Sequence, residues 1–95
     1  MNSYELTVVL PEKATIAKKK AVSETLEKVV KIAKGEIKKT DDLGKIDLAY
    51  PIKGNRSGVF MYFELELEPT EIKSLDQKMK LEEGIIRYLL VKKDK

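Results

Sequence analysis

Between residues 59 and 68, apolar and polar side chains alternate almost without a break. Val59, Met61, Phe63, Leu65 and Leu67 share one face of an extended segment, and Phe60, Tyr62, Glu64, Glu66 and Glu68 share the other. Three carboxylates on one side forbid burial of both sides, so the sheet that holds this strand turns one face to a core and leaves the other open.

The rest of the chain supplies what that sheet needs. Tyr4, Leu6, Val8 and Leu10 alternate with Glu5, Thr7 and Val9, which predicts a first strand ending at Pro11, a residue that cannot donate to a ladder. Thr15 is placed to cap a helix over 16–34, in which Val22, Leu26, Val29, Val30 and Ala33 form one apolar stripe. Gly35 stands where a left-handed cap is expected to stop that helix. From Glu36 to Ile52 the pattern is a long, irregular strand, with Asp41, Asp42 and Gly44 marking a bulge at which the inward parity is expected to switch. Lys53, Gly54, Asn55, Arg56 and Gly58 belong to a polar turn over 52–59 that doubles the chain back into the third strand. Pro69 and Thr70 open a second helix with Ile72, Leu75, Met79 and Leu81 as its buried stripe, and Gly84 releases it. Residues 85–91 close the chain as a fourth strand from which Arg87 projects.

The order βαββαβ predicts an α+β, ferredoxin-like split motif: a four-stranded antiparallel sheet of order 4-1-3-2 with two helices on one face. At 95 residues the chain suits a single domain, residues 1–95. A partner of such a fold must use the open face, an edge or the loops.

Composition narrows the function classes. Charged residues make up 37% of the chain, but 19 basic against 16 acidic side chains leave a net charge of only +3, which names no polyanionic partner by itself. There is no cysteine and no histidine, so disulfides and thiol chemistry are excluded, and a metal would have only carboxylates to hold it. No metal and no cofactor is expected. The longest apolar run, Val59 to Phe63, is far too short to span a bilayer, and a cytoplasmic protein is expected. The last four residues, Lys92 to Lys95, are expected to be mobile.

Catalysis has little to stand on. The first strand-to-helix connection, Pro11 to Thr15, lacks glycine and carries Glu12, so it makes no phosphate cradle, and no enzyme is expected. Asp41 and Asp42, beside Gly44, are better turn residues than an acid and base pair. The third strand invites comparison with RNA-recognition strands that stack bases on aromatics. The first strand offers only Glu5, Thr7 and Val9 on that face, so Phe60 and Tyr62 are better suited to a protein neighbour or to partial burial. Lys45, Lys53, Arg56, Arg87, Lys92 and Lys93 could gather along one sheet edge and its hairpin as a phosphate-binding set; the alternative is a scattered solubilising surface.

Tyr4-Glu5 at the start of strand one, Leu43-Gly44, the run Leu48-Ala49-Tyr50-Pro51-Ile52, Gly58 with its aromatic strand, and Arg87 with Leu90-Val91-Lys92 together resemble the bacterial small-subunit ribosomal protein six family over nearly the whole chain. The resemblance implies a structural constituent of the small ribosomal subunit. In that family it pairs with small-subunit ribosomal protein eighteen and binds the central domain of small-subunit rRNA, with no cofactor and no small-molecule substrate. It implies Tyr4, Lys45, Lys53, Arg56, Arg87 and Lys92 as RNA contacts, and Leu48, Tyr50, Pro51, Phe60 and Tyr62 as protein-partner contacts. Tyr50 and Pro51 have the alternative role of shaping the strand before the hairpin. Asn2, Ser3, Asp47 and Ile86 depart from positions where the family often carries a basic residue, which implies fewer phosphate contacts and more reliance on the protein partner. The competing reading is a ferredoxin-like regulatory or ligand-binding module whose open face forms a homodimer.

Overall fold

The computed structural model describes residues 2–82 and 84–93. Its elements are β1 (Asn2–Pro11), α1 (Ile16–Ile32), β2 (Glu36–Ile52), β3 (Asn55–Leu67), a 3-10 turn (Pro69–Glu71), α2 (Ile72–Leu81) and β4 (Arg87–Lys92). The four strands form one antiparallel sheet of order β2-β3-β1-β4, the predicted order seen from its other end.

The two central strands build the core by parity. Tyr4, Leu6, Val8 and Leu10 of β1 and Val59, Met61, Phe63, Leu65 and Leu67 of β3 are buried together against Val22, Leu26 and Val30 of α1 and Leu75 and Met79 of α2. Leu81, assigned to the α2 stripe from sequence, is instead exposed at the end of its helix. At the edge, Tyr88 closes β4 onto α2 by donating its hydroxyl to Asp76 Oδ1 at 2.6 Å. That bond holds the Asp76 carboxyl below its ordinary range, and burial together with the same bond pushes the Tyr88 hydroxyl up to about 12.

Local chemistry explains where each element stops. The Thr15 side chain accepts from the Lys18 N–H at 3.1 Å, as a cap should. At the other end of α1 the Lys34 N–H bonds the Lys31 carbonyl at 3.0 Å and the Gly35 N–H reaches the Val30 carbonyl at 2.8 Å, a Schellman pair. The left-handed residue in that pair is Lys34, with φ of 60°, and not the glycine. Gly35 is required for a different reason: a Cβ there would sit 2.4 Å from the Glu66 carbonyl and 2.3 Å from Leu67 Cδ2. β2 shifts register between Ile37 and Lys39, between Asp42 and Gly44, and between Asp47 and Ile52. Across the second shift Asp42 pairs with Met61 of the core face and Gly44 with Phe60 of the open face, so inward parity does switch there. Asp42 holds the bend by accepting from the Gly44 N–H and from Lys19 Nζ, both at 2.9 Å, and these bonds lower its carboxyl from the ordinary value, the lysine first.

Two expectations about the chain's turns and tail are revised. The hairpin is tighter than a loop over 52–59: β3 begins at Asn55, and only Lys53 and Gly54 lie between paired residues, at φ of 49° and 80°, as a primed two-residue turn demands. Lys92 and Lys93 are ordered, since Lys92 pairs with Tyr4 and the Lys93 N–H bonds the Ser3 carbonyl at 2.8 Å. Asp94 and Lys95, the remainder of the expected mobile tail, lie outside the described residues.

The helix end yields a test with opposite signs at neighbouring positions. Lys34→Gly should stabilise the fold by about 0.5–1 kcal/mol by relieving a left-handed side chain. Gly35→Ala should destabilise it by about 1–3 kcal/mol through collision with β3. Urea unfolding measures both.

Candidate protein and RNA interface

The open face is uneven because the hairpin arm folds over part of it. Between the Asp47–Ser57 and Ile52–Asn55 pairs, residues 48–51 of β2 face only Arg56 of β3, so the arm bows out of the ladder. It carries Tyr50 across β3 and β1 to the far edge, where Arg87 Nη1 donates to the Tyr50 hydroxyl at 3.3 Å and the guanidinium stands 6.0 Å from the ring centre. Beneath the arm is a trough of about 340 Å³ lined largely by apolar groups, among them Val9, Leu48, Tyr50, Phe60 and Leu89. Val9 is only 5% exposed although it stands on the face opposite the core, and Leu89 remains 62% exposed.

The other end of the same face is acidic. Glu5 and Glu64 stand directly opposite each other on β1 and β3, as do Glu36 and Glu66 on β2 and β3. Like charges in such pairs are destabilising unless satisfied. Here Tyr62 donates its hydroxyl to Glu5 at 2.5 Å, Lys93 pairs with Glu64, and Lys38 pairs with Glu36 at 3.1 Å and Glu66 at 3.8 Å. The bond to Glu5 raises the Tyr62 hydroxyl well above the tyrosine range, and the Lys93 ammonium lowers the Glu64 carboxyl.

The residues singled out from sequence are distributed over this surface as follows. Leu48, Tyr50 and Phe60 converge on the trough; Pro51 is exposed outside its lining, and Tyr62 is engaged at the acidic end. Lys53 and Arg56 sit at the hairpin and Arg87 at the neighbouring end of β4. Tyr4 is placed in the core at 6% exposure, since strand parity turns it toward the helices, and its ring is not available to stack on a base. The basic set does not line one edge: Lys45 is on β2, one edge of the sheet, whereas Arg87 and Lys92 are on β4, the other, roughly 14 Å away across three strand spacings. Lys92 is further separated from Arg87 by five residues of strand, roughly 17 Å, and pairs with Tyr4 on the helix side. Among the described residues no ion pair engages Lys45, Lys53, Arg56, Arg87 or Lys92. Sequence reasoning missed Leu89, although its parity, opposite to Tyr88 and Leu90 and in line with Arg87, was there to be read. No group of three or more metal-ligating side chains occurs among the described residues.

A sheet covered by helices on one side, with an apolar trough on the other, has the form of a docking module for a macromolecular partner. Comparison with known proteins carries this further. Residues 3–92 match the family model described as ribosomal protein S6. The small ribosomal subunit protein bS6 of Pelagibacter ubique is 35% identical over 97% of this chain and 76% of its own length. Its counterpart from Exiguobacterium sibiricum is 30% identical over the whole of both chains. The crystal structure of 30S ribosomal protein S6 from Thermotoga maritima superposes with a TM-score of 0.89 at 19% identity, covering 97% of this chain and 87% of that one. The chain belongs to the ribosomal protein S6 family, structural constituents of the bacterial small ribosomal subunit rather than enzymes.

The acidic end gives a titration test. Tyr62 has its hydroxyl raised in the folded state, so its contribution to stability is complete below pH ~10 and is lost as pH rises above that. In Glu5→Gln the Tyr62 absorbance titration should move back toward the ordinary tyrosine value and the alkaline fall in stability should become shallower. An unchanged titration would show that Glu5 does not control the phenol.

Proposed function

We propose that this chain binds the central domain of small-subunit rRNA jointly with small-subunit ribosomal protein eighteen, using the trough for the protein and the hairpin end for the RNA. The observation that carries the reading is the contact between Arg87, an RNA candidate, and Tyr50, a protein-partner candidate, on the rim of one apolar trough. A protein side chain entering beside Leu48, Phe60 and Leu89 bears directly on Tyr50, and through it on the direction in which Arg87 points. The contact supports joint binding, because one ligand would order the residue the other needs. Lys45, Lys53, Arg56 and Arg87 remain the proposed phosphate contacts of this interface and Lys92 a proposed contact on a separate surface, with Leu48, Tyr50, Pro51, Phe60 and Tyr62 the proposed partner contacts. Tyr4 is withdrawn because it is buried.

Filter binding to a central-domain RNA fragment tests this. The chain should bind weakly alone and much more tightly with protein eighteen present; equal affinity in both cases contradicts joint recognition. Arg56→Ala should change stability by less than about 0.5 kcal/mol while lowering the slope of log affinity against log salt by about one unit. Sedimentation of the chain alone addresses the competing use of the same face: a stable homodimer that protein eighteen fails to dissociate would favour the regulatory-module reading.

A further inference from the structure

Among the described residues Ser57 is a buried polar side chain, at 7% exposure, and its surroundings tie two loops together. Its hydroxyl donates to Glu12 Oε2 at 3.1 Å, and the Glu12 N–H donates to Asn55 Oδ1 at 3.1 Å. The Asn55 carboxamide nitrogen donates in turn to the carbonyls of Ile52 at 3.3 Å and Lys53 at 3.2 Å. Glu12 itself lies in a turn closed by the Ala14 N–H on the Pro11 carbonyl at 2.9 Å. The tip of a hairpin, ordinarily among the most mobile parts of a fold, is therefore bolted to the connection between β1 and α1.

The residues flanking these bonds are cationic. Lys13 follows Glu12, Lys53 precedes the turn glycine, and Arg56 lies between Asn55 and Ser57; all three are exposed, and none has an ion pair among the described residues. Chain reach across the Glu12–Asn55 bond puts the Lys13 and Arg56 backbones within roughly 15 Å of each other. Glu12, the carboxylate beside Lys13, is turned onto a buried hydroxyl and not onto any of them, and Asp47, exposed opposite Ser57 on β2, forms no ion pair with them among the described residues. We propose that Glu12, Asn55 and Ser57 form a brace that positions Lys13, Lys53 and Arg56 as a clamp for an RNA phosphodiester backbone, with Lys13 as a further contact. The inference rests on the RNA-binding reading above and adds to it a second loop and a reason for its rigidity. A pre-positioned clamp avoids the ordering cost that a free hairpin tip bears on binding.

Charge makes the test sharp. By electrostatics alone, removing the negative Glu12 from beside phosphate-binding lysines should tighten RNA binding. The brace predicts the reverse. With protein eighteen present and at a temperature where circular dichroism shows each variant folded, Glu12→Ala should bind the central-domain fragment several-fold more weakly, with the salt slope reduced by about one unit or more. Glu12→Gln retains an acceptor for Ser57 and should bind at least as tightly as the parent, while affinity for protein eighteen stays the same in both. Lys13→Ala, a surface change that leaves the brace intact, should lower the slope by about one unit. Binding by Glu12→Ala as tight as or tighter than the parent, or an unchanged slope for Lys13→Ala, overturns the proposal while leaving joint RNA recognition standing. A parent chain that binds no RNA beside its partner overturns both.

Discussion

Everything on this molecule's surface follows from the asymmetry of β3. Its odd positions from Val59 to Leu67 are sealed under two helices, and its even positions from Phe60 to Glu66 are left half-buried at most. A sheet built on such a strand must solve two problems on its uncovered side: apolar surface at one end and like charges at the other. The first is met by the chain itself, since the bowed arm of β2 brings Leu48 and Tyr50 over Val9 and Phe60. The second is met by cross-strand partners, because Tyr62, Lys93 and Lys38 take up the carboxylates that pairing forces together.

The edges show the same economy. β2 is long enough to recruit a foreign strand, yet it is broken by three register shifts and lined with charge, both of which blunt pairing with another chain. The largest of those shifts is also the one that throws Tyr50 across the face, so protection of the edge and construction of the trough come from the same extra residues. β4, the other edge, is short and regular, and its outward parity presents Arg87 and Leu89 to the trough.

Features with a period were legible in the sequence, and features that depend on what a side chain meets across space were not. The strands, both helices, the strand order and the parity switch near Gly44 all follow from alternation, helical spacing and turn chemistry, and the bounds of β2 were read as they stand. The glycine after α1 was read as a left-handed cap because that is glycine's commonest use; only the approach of β3 shows that Lys34 takes the strained conformation and that Gly35 is needed for space. The family resemblance implies Tyr4 as an RNA contact, whereas its alternation with Glu5 turns it toward the core, and it is in the core that the structure places it. The tight hairpin was obscured because Lys53 is an unusual occupant of a positive-φ turn position, tolerated here because Asn55 ties the turn from the side.

The division of the open face also decides which cations are suited to a polyanion. A phosphate approaching the end that carries Glu5, Glu36, Glu64 and Glu66 meets carboxylates whose neutralising lysines, Lys38 and Lys93, are already paired. A phosphate approaching the hairpin end meets Lys53, Arg56 and Arg87, whose charges no carboxylate among the described residues answers. Lys92 is near the acidic end of the sheet but on its helix side, beside Tyr4, and belongs to a different surface. A net charge of +3 therefore understates the positive field at the hairpin, because several acidic residues are paired with lysines elsewhere in the fold while Lys53, Arg56 and Arg87 have no carboxylate partner among the described residues.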